Sequence, residues 1–372
     1  MSGLYIHIPF CRQACHYCNF HFSTNLKVQE DMVRAICLEM EMRRNYLGTK
    51  IIKTIYFGGG TPSLLTDKQI DTIFNTINKY FSPSDDVEIT LEANPDDLTK
   101  DKLSIIKNYF NRLSIGVQSF DQENLRFMNR LHTSTEAENC IKEAQQFGLN
   151  NISIDLIYGI PGSNLNNWQK DLNKAITFNV PHLSCYGFTI EQGTVFGNWL
   201  KKGKLKPVED EEASEQFDSM IHQLELAGYE HYEISNFALP GMYSKHNTSY
   251  WQDVPYLGLG PGAHSYNNIA RQYNVSNNHQ YITAINQGRL PNEEELLSET
   301  DKINEYILTT LRTTWGMDMQ VLIEKGYKES DLTNAIAEYK EQGYVELNEG
   351  KVKLTPKGKI IADKITLDLI IL

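Results

Sequence analysis

Cysteine is scarce in this sequence, with six in 372 residues, too few for a disulfide scaffold in a chain of this size. Long apolar runs are missing as well. The densest, Ile365 to Leu372, is short and interrupted by Asp368, so no transmembrane helix is expected. The N-terminus reads Met-Ser-Gly-Leu-Tyr-Ile-His-Ile-Pro, without the basic stretch and apolar run of a signal peptide, and the cytosol is the default compartment. Basic charge is in deficit: 35 Lys+Arg stand against 47 Asp+Glu, a formal net charge of -12. That balance argues against a broad nucleic-acid or anionic-membrane surface. No internal repeat, low-complexity tract or G-x-G-x-x-G dinucleotide fingerprint occurs. What remains, at 41% hydrophobic and 22% charged residues, is a globular chain long enough for one large domain or a large and a small one.

Short β-branched runs alternate with amphipathic stretches through the first two-thirds. The expected strands are 4–8, 53–57, 87–91, 112–116, 151–156 and 182–187, and the expected helices 27–46, 66–80, 99–109, 134–147, 164–178 and 210–227. Thr66, Thr99 and Ser134 are the expected N-caps. Six βα units of this spacing imply a parallel sheet with right-handed crossovers. Polar or glycine residues stand at the ends of several strands: Gly58-Gly59-Gly60, Glu92, Gln118 and Asp155. Four strands feeding one site suit a barrel mouth better than the single switch point of a doubly wound sheet. The expected fold is therefore α/β, a partial parallel (βα)6 TIM-like barrel over residues 1–235. An irregular lid rich in Gly, Asn, Tyr and Pro follows over 236–299. Residues 300–372 read as a small winged-helix-like C-terminal domain with a hairpin around Asn348-Glu349-Gly350. Residues 301–372 hold ten Lys+Arg and twelve Asp+Glu. A DNA reader would show a basic footprint, so this domain is expected to be structural or a docking module.

Three of the six cysteines fall in Cys11-Arg-Gln-Ala-Cys15-His-Tyr-Cys18, directly after the first strand. A zinc site on these thiols with His7, His16 or His21 is one reading, although structural zinc more often uses two separated pairs. A redox pair of Cys15 and Cys18 would leave Cys11 unexplained. An iron–sulfur cluster uses short spacings of this kind, and three thiolates leave one iron of a cubane open to a small molecule. Cys37, Cys140 and Cys185 are expected to be small buried residues.

The spacing C-x3-C-x2-C resembles the signature of the radical S-adenosylmethionine (SAM) superfamily. That resemblance implies a [4Fe–4S] cluster on Cys11, Cys15 and Cys18, SAM on its open iron, and a partial βα barrel. Within the superfamily, an ordered set of motifs is similar to the subfamily containing oxygen-independent coproporphyrinogen dehydrogenase. The set comprises Tyr5-Ile-His7-Ile-Pro-Phe-Cys11, Gly58–Pro62, Leu91-Glu92-Ala-Asn-Pro95, Gly116-Val-Gln118-Ser-Phe120, Asn129-Arg130 and Asp155-Leu-Ile-Tyr-Gly-Ile-Pro161. It implies that Tyr5, Gly59, Gly60, Thr61, Glu92, Gln118, Arg130 and Asp155 contact SAM. The chemistry agrees: carboxylates accept from ribose hydroxyls or an ammonium, and Arg130 can pair with a carboxylate.

Two departures from the dehydrogenase pattern stand out. Phe20 occupies the place of a fourth motif cysteine, and only ten residues precede Cys11. In addition, His246-Asn-Thr-Ser-Tyr250-Trp251 resembles the H-N-x-x-Y-W motif of the paralogous haem chaperones, the HemW group. That resemblance implies haem as a cofactor, with His246 offering an imidazole to iron and Tyr250 and Trp251 offering flat faces to the macrocycle. Met242 is a second candidate ligand. Its implied partners are haem-accepting respiratory proteins, and self-association into a homodimer stays open. The enzyme alternative is a radical SAM dehydrogenase acting on a porphyrinogen. A third class is a cluster- or zinc-stabilised binding module without catalysis.

Overall fold

In the computed structural model, which describes residues 2–371, the first two-thirds of the chain alternates strand and helix. The six strands of the βα units are β1 (Gly3–Ile8), β2 (Ile51–Gly59), β3 (Ser82–Ala93), β4 (Arg112–Gln118), β5 (Ile152–Tyr158) and β6 (His182–Gly187). Each pairs in parallel with the next. The helices between them start where side-chain caps allow. Thr66 caps Asp67–Tyr80 in a reciprocal capping box with Gln69, and Thr99 caps Lys100–Ile106. At the third expected start the cap is Thr133, boxed with Glu136, and Ser134 is the first helical residue. Thr133 wins because its hydroxyl lies three residues before a glutamate that reaches back to it.

Strand alternation sorts the residues of β1. Leu4, Ile6 and Ile8 are buried outward in the main core beside Met32 and Ile36 of helix Gln29–Met42. Each contributes roughly 1.5–3 kcal/mol of burial. Tyr5 and His7 turn the other way, into the lumen. The lumen-facing residues of the next strands are polar too, Thr54 and Tyr56, Glu88 and Thr90, Arg112 and Ser114, Ser153, His182 and Ser184, and all are buried. TIM barrels usually fill this space with branched apolar side chains.

The barrel does not close. β6 is flanked by the antiparallel pair β7 (Glu230–Glu233) and β8 (Asn236–Ala238), and β1 by β9 (Tyr256–Leu259), which runs parallel to it. Beyond β9 lie β10 (His264–Tyr266), β11 (Ala270–Asn274) and β12 (Asn292–Leu296), all antiparallel. Residues 236–299 thus carry β8 to β12 and extend the sheet on both flanks, more regular structure than their composition suggested. The Gly signals there mark tight turns: Gly260 and Gly262, between β9 and β10, have φ of 103° and 74°.

From Glu299 the chain builds a second core around Ile307, Leu311, Leu322, Leu332, Val352 and Ile365. Its order is helix Glu299–Leu311, β13 (Met317–Asp318), helices Met319–Glu324 and Glu329–Glu341, then the hairpin β14 (Val345–Asn348) and β15 (Lys351–Leu354). That is a winged-helix order. Glu349 and Gly350 both have positive φ, 51° and 78°, the turn that matches hairpin twist. This body docks on β7, where the Thr314 N–H donates to the Tyr232 carbonyl at 2.9 Å and Arg312 pairs with buried Glu233 at 2.7 Å.

Candidate functional site

At the carboxyl ends of the parallel strands, Cys11, Cys15 and Cys18 line a cavity of about 420 Å³. None is in a disulfide. Gly59, Gly60, Thr61, Glu92, Gln118, Arg130 and Asp155 share its wall, so seven of the eight residues expected around SAM converge with the thiols. The eighth, Tyr5, does not reach the wall. Its ring lies deeper in the lumen, stacked near Tyr56 and His246, with its hydroxyl 3.1 Å from His7 Nδ1.

The glycines are required by the approach of β2 to the cysteine loop. A Cβ on Gly60 would lie 2.7 Å from the backbone of Ile8 and Phe10, and one on Gly59, at φ 104°, would enter the His7 ring. The close approach is sealed by N–H donors: Gly60 to the Ile8 carbonyl at 3.0 Å and Thr61 to the Phe10 carbonyl at 2.7 Å. The Thr61 hydroxyl then points at Cys11 Sγ, 3.4 Å away.

Arg130 organises the opposite wall. Its guanidinium donates to Asn94 Oδ1 at 2.6 Å and to the Gly116 carbonyl at 2.7 Å, and lies 3.4 Å from Cys15 Sγ. Its Nε is buried without a partner, a donor left over beside the thiols. Gln118 ends β4 at φ 67°, where the pairing with β5 shifts register. Such irregularities commonly re-aim a strand end towards a site.

Glu92 and Asp155 supply the carboxylates. Glu92 accepts from the Tyr56 hydroxyl at 2.7 Å and the Gly59 N–H at 3.0 Å. Burial pushes its pKa up to about 7 despite these donors. Burial likewise pushes Asp155 up to about 6, against the pull of Arg112 and the hydroxyls of Ser184, Ser114 and Ser153. Two carboxyls held near neutrality suit a site that receives a cation and ionises as it arrives. The Cys11 thiol is pushed up to about 11 by burial, and Cys18 moves in the same direction for the same reason.

The donor set fits a cluster better than a single ion. Among the described residues, no three of His, Cys, Asp or Glu are grouped to hold one metal ion, whereas four irons spread their ligands further apart. Of the histidines of the zinc reading, His7 has both ring nitrogens bonded, the other one to the Tyr5 hydroxyl, and His16 and His21 have one each. His7 Nε2 bonds the His21 carbonyl at 2.9 Å, His16 Nδ1 the Phe127 carbonyl at 3.1 Å, and His21 Nε2 the Asn278 side chain at 2.7 Å. Cys140 and Cys185 are core residues, and Cys37 is half-buried with its thiol towards the Thr72 carbonyl.

Residues missed from the sequence include Asn94, which bridges Arg130 to the Thr61 hydroxyl at 3.2 Å, and Tyr17, whose ring belongs to the cavity lining. Asn94 was visible as the residue two beyond Glu92 in its motif. The end of β6 and the loop after it also line the cavity, with Tyr186, Phe188 and Glu191, and nothing in their sequence signals this. Phe20 lies on the rim, 67% exposed.

The His246 motif lies at the other end of the barrel. Helix Lys245–Trp251 plugs the lumen beneath β1 and β2. Glu88, buried in the lumen, accepts the Lys245 and His246 N–H groups at 3.1 and 3.0 Å. Expected as an iron ligand, His246 has no free ring nitrogen: Nδ1 is 2.8 Å from the Thr54 hydroxyl and Nε2 2.8 Å from the Tyr250 hydroxyl. Burial, with Arg112 nearby, drives its pKa down to about 3, so the ring is neutral. Met242 is half-buried in the turn before this helix. Tyr250, its hydroxyl turned in to His246, and Trp251 also line a second cavity, of about 760 Å³, against the C-terminal body. Tyr256, which lines it, pairs with Gly3 at the start of β1. The cysteine loop follows the end of that strand, five residue steps or about 17 Å away.

The Radical SAM superfamily matches residues 5–175 and the HemN C-terminal domain matches 297–361. The chain is 35% identical over 372 residues to the heme chaperone HemW of Bacillus subtilis, covering 98% of each chain. It is 33% identical to the heme chaperone HemW of Escherichia coli, covering 98% of this chain and 96% of that one. In fold it is similar to coproporphyrinogen III oxidase (HemN) from Escherichia coli, described as a radical SAM enzyme, with a TM-score of 0.86, 23% identity and coverage of 99% and 90%. No helix among the described residues is long and apolar enough to cross a membrane.

Proposed function

The chain belongs to the HemW group of the radical SAM superfamily, and on that premise we propose that it is a haem chaperone which carries a [4Fe–4S] cluster and SAM and passes haem to respiratory acceptor proteins. One observation supports the cofactor part above all: three unpaired thiols share a cavity with the glycine strand end, two carboxylates and Arg130.

In this reading Cys11, Cys15 and Cys18 hold the cluster, whose contribution when bound is one-electron chemistry. Thr61 donates towards the Cys11 sulfur, which favours its thiolate against the opposing effect of burial, and Arg130 sits against Cys15. Arg130 is also placed to take the carboxylate of SAM. Glu92 and Asp155 receive its cationic and hydroxyl groups and give up protons as they do so. Gln118, Gly59 and Gly60 shape the wall. Tyr250 and Trp251 present ring faces to haem at the far end, while His246 holds Tyr250 in place.

Anaerobic reconstitution tests the reading in steps. About four irons per chain, SAM binding and stable hemin uptake are expected, and reduced protein with SAM should leave coproporphyrinogen unconverted. One zinc without iron would overturn the cluster and SAM assignments. Conversion to protoporphyrinogen would overturn the chaperone assignment in favour of a dehydrogenase.

A further inference from the structure

The cavity of about 760 Å³ belongs neither to the cysteine loop nor to the barrel lumen. Its volume lies in the range of small-molecule sites, about 300–1,000 Å³. Two bodies build it. Tyr250, Trp251, Tyr256 and Tyr266 come from the segment around β9 and β10, and Tyr306 and Trp315 from the C-terminal body. Rings on both sides suit a broad flat conjugated ligand, because aromatic faces gain by offset stacking over such a surface. Arg312 already lies 4.4 Å over the Trp251 ring, and the buried Trp251 Nε1 has no acceptor.

The charges along the wall are Arg271, Lys302 and Lys325 against Asp253 and Glu305. The acids are committed: Asp253 accepts from the Tyr266 hydroxyl, and Glu305 pairs with Arg271 at 2.7 Å. The lysines are freer. Lys302 pairs at 2.8 Å only with Glu299, which is 78% exposed, a contact of small energy that a ligand carboxylate can displace. Lys325 is exposed and has no carboxylate within salt-bridge distance among the described residues.

We propose that this cavity seats the haem, with the macrocycle between the aromatic rings of the two bodies and its propionates on Lys302 and Lys325 of the C-terminal body. The inference rests on the haem-chaperone reading and adds where haem lies and which groups recognise it. The C-terminal body is thereby half of a ligand site. His246 is a positioning residue that fixes the Tyr250 ring through its hydroxyl, and affinity does not depend on iron coordination by its imidazole.

The test titrates three probes into the full-length chain and into the double variant Lys302→Glu, Lys325→Glu, followed by Soret absorbance and tryptophan quenching. The probes are hemin, iron-free protoporphyrin IX and hemin dimethyl ester. Hemin and protoporphyrin IX should bind the parent chain within a few-fold of each other, and the ester at least about ten-fold more weakly, the worth of one charge-assisted hydrogen bond. The double variant should lose at least about ten-fold for the free acids and nothing for the ester. Equal binding of acid and ester, unchanged acid affinity in the variant, or rejection of iron-free protoporphyrin would each overturn this inference while leaving the chaperone reading intact. Failure of the parent chain to bind hemin would overturn both. His246→Ala should weaken hemin binding without moving the Soret band of the bound form, and a moved band would make His246 an iron ligand after all.

Discussion

At the carboxyl ends of β1 to β6 the barrel opens into a cavity whose polar groups are only partly satisfied, while at the amino ends it is stoppered by helix Lys245–Trp251, whose lumen-facing groups are bonded and whose unpartnered Thr248 Oγ1 and Trp251 Nε1 lie off that network. The open end leaves Arg130 Nε without a partner and two carboxyls near neutrality. At the stoppered end Glu88, Thr54, His246 and Tyr250 form a closed chain of hydrogen bonds. Unspent donors and titratable groups mark where a charged ligand is received, whereas a satisfied network fixes shape. The two ends touch through the polar lumen. Tyr56 donates to Glu92 above and stacks 5.0 Å from His246 below.

The sharpest way to break this division is to remove the thiols. Replacing Cys11, Cys15 and Cys18 with Ser should take reconstituted iron from about four per chain to background, measured colorimetrically. Hemin uptake by the same protein should be unchanged, because the aromatic cavity lies at the other end of β1. Loss of both together would mean that the two ends form one site.

Next in size is the stopper. His246→Ala leaves the Thr54 and Tyr250 hydroxyls unpaired in a buried setting and opens a void. The expected cost is about 3 kcal/mol in urea unfolding monitored by circular dichroism. Iron and SAM binding should survive in the variant that remains folded. A cost near zero would show that the histidine is not part of a fixing network.

How much of this was legible in the sequence differs between the two ends. Much of the open end was readable, because Cys11 to Cys18 are local in sequence and Gly59, Gly60, Glu92, Gln118 and Asp155 stand at strand ends, while Thr61 and Arg130, the latter in the turn after helix Gln122–Phe127, came only through the motif resemblance. Tyr5 was the exception: strand alternation puts it in the lumen, but its depth depends on how far β1 reaches past Gly58. The stoppered end was legible only as a motif. That His246 would be buried between β1 and β2 depends on contacts 192 residues apart, such as Thr54 to His246, and no local pattern carries them. The same holds for the cavity shared with the C-terminal body, whose lining comes from two separately folded segments. The stretch 236–299 looked irregular because its strands are three to five residues long and separated by Gly and Asn turns.

The pH dependence of the open end supplies a subtler contrast. Glu92 and Asp155 have folded-state pKa values raised to about 7 and about 6, so each favours folding in its protonated form. The stability they contribute is full below about pH 4 and is lost as pH rises through those values. A cationic ligand reverses the preference and must displace their protons when it binds under acidic conditions. SAM affinity, measured by calorimetry in buffers of different ionisation heat, should fall by about ten-fold per pH unit between about pH 7 and 6, where Glu92 alone is protonated, and by about a hundred-fold per unit below pH 6, where both are, with matching proton release. Hemin binding at the far end involves no carboxyl of this pair and should not share that slope. A flat SAM profile would show that neither carboxyl meets the cation.

The smallest expected effect concerns the residue that stands where a fourth motif cysteine would. Phe20 is 67% exposed on the cavity rim, so its removal uncovers little core. Phe20→Ala should change unfolding stability by no more than about 0.5 kcal/mol and leave iron content untouched. Because the ring still lines the opening, SAM exchange should quicken modestly as the rim widens, read by stopped-flow displacement. If instead the variant loses iron on standing in air while its stability holds, Phe20 shields the cluster from solvent. The open end would then be less open than its geometry indicates, and an exposed aromatic would have replaced a thiol to restrict access.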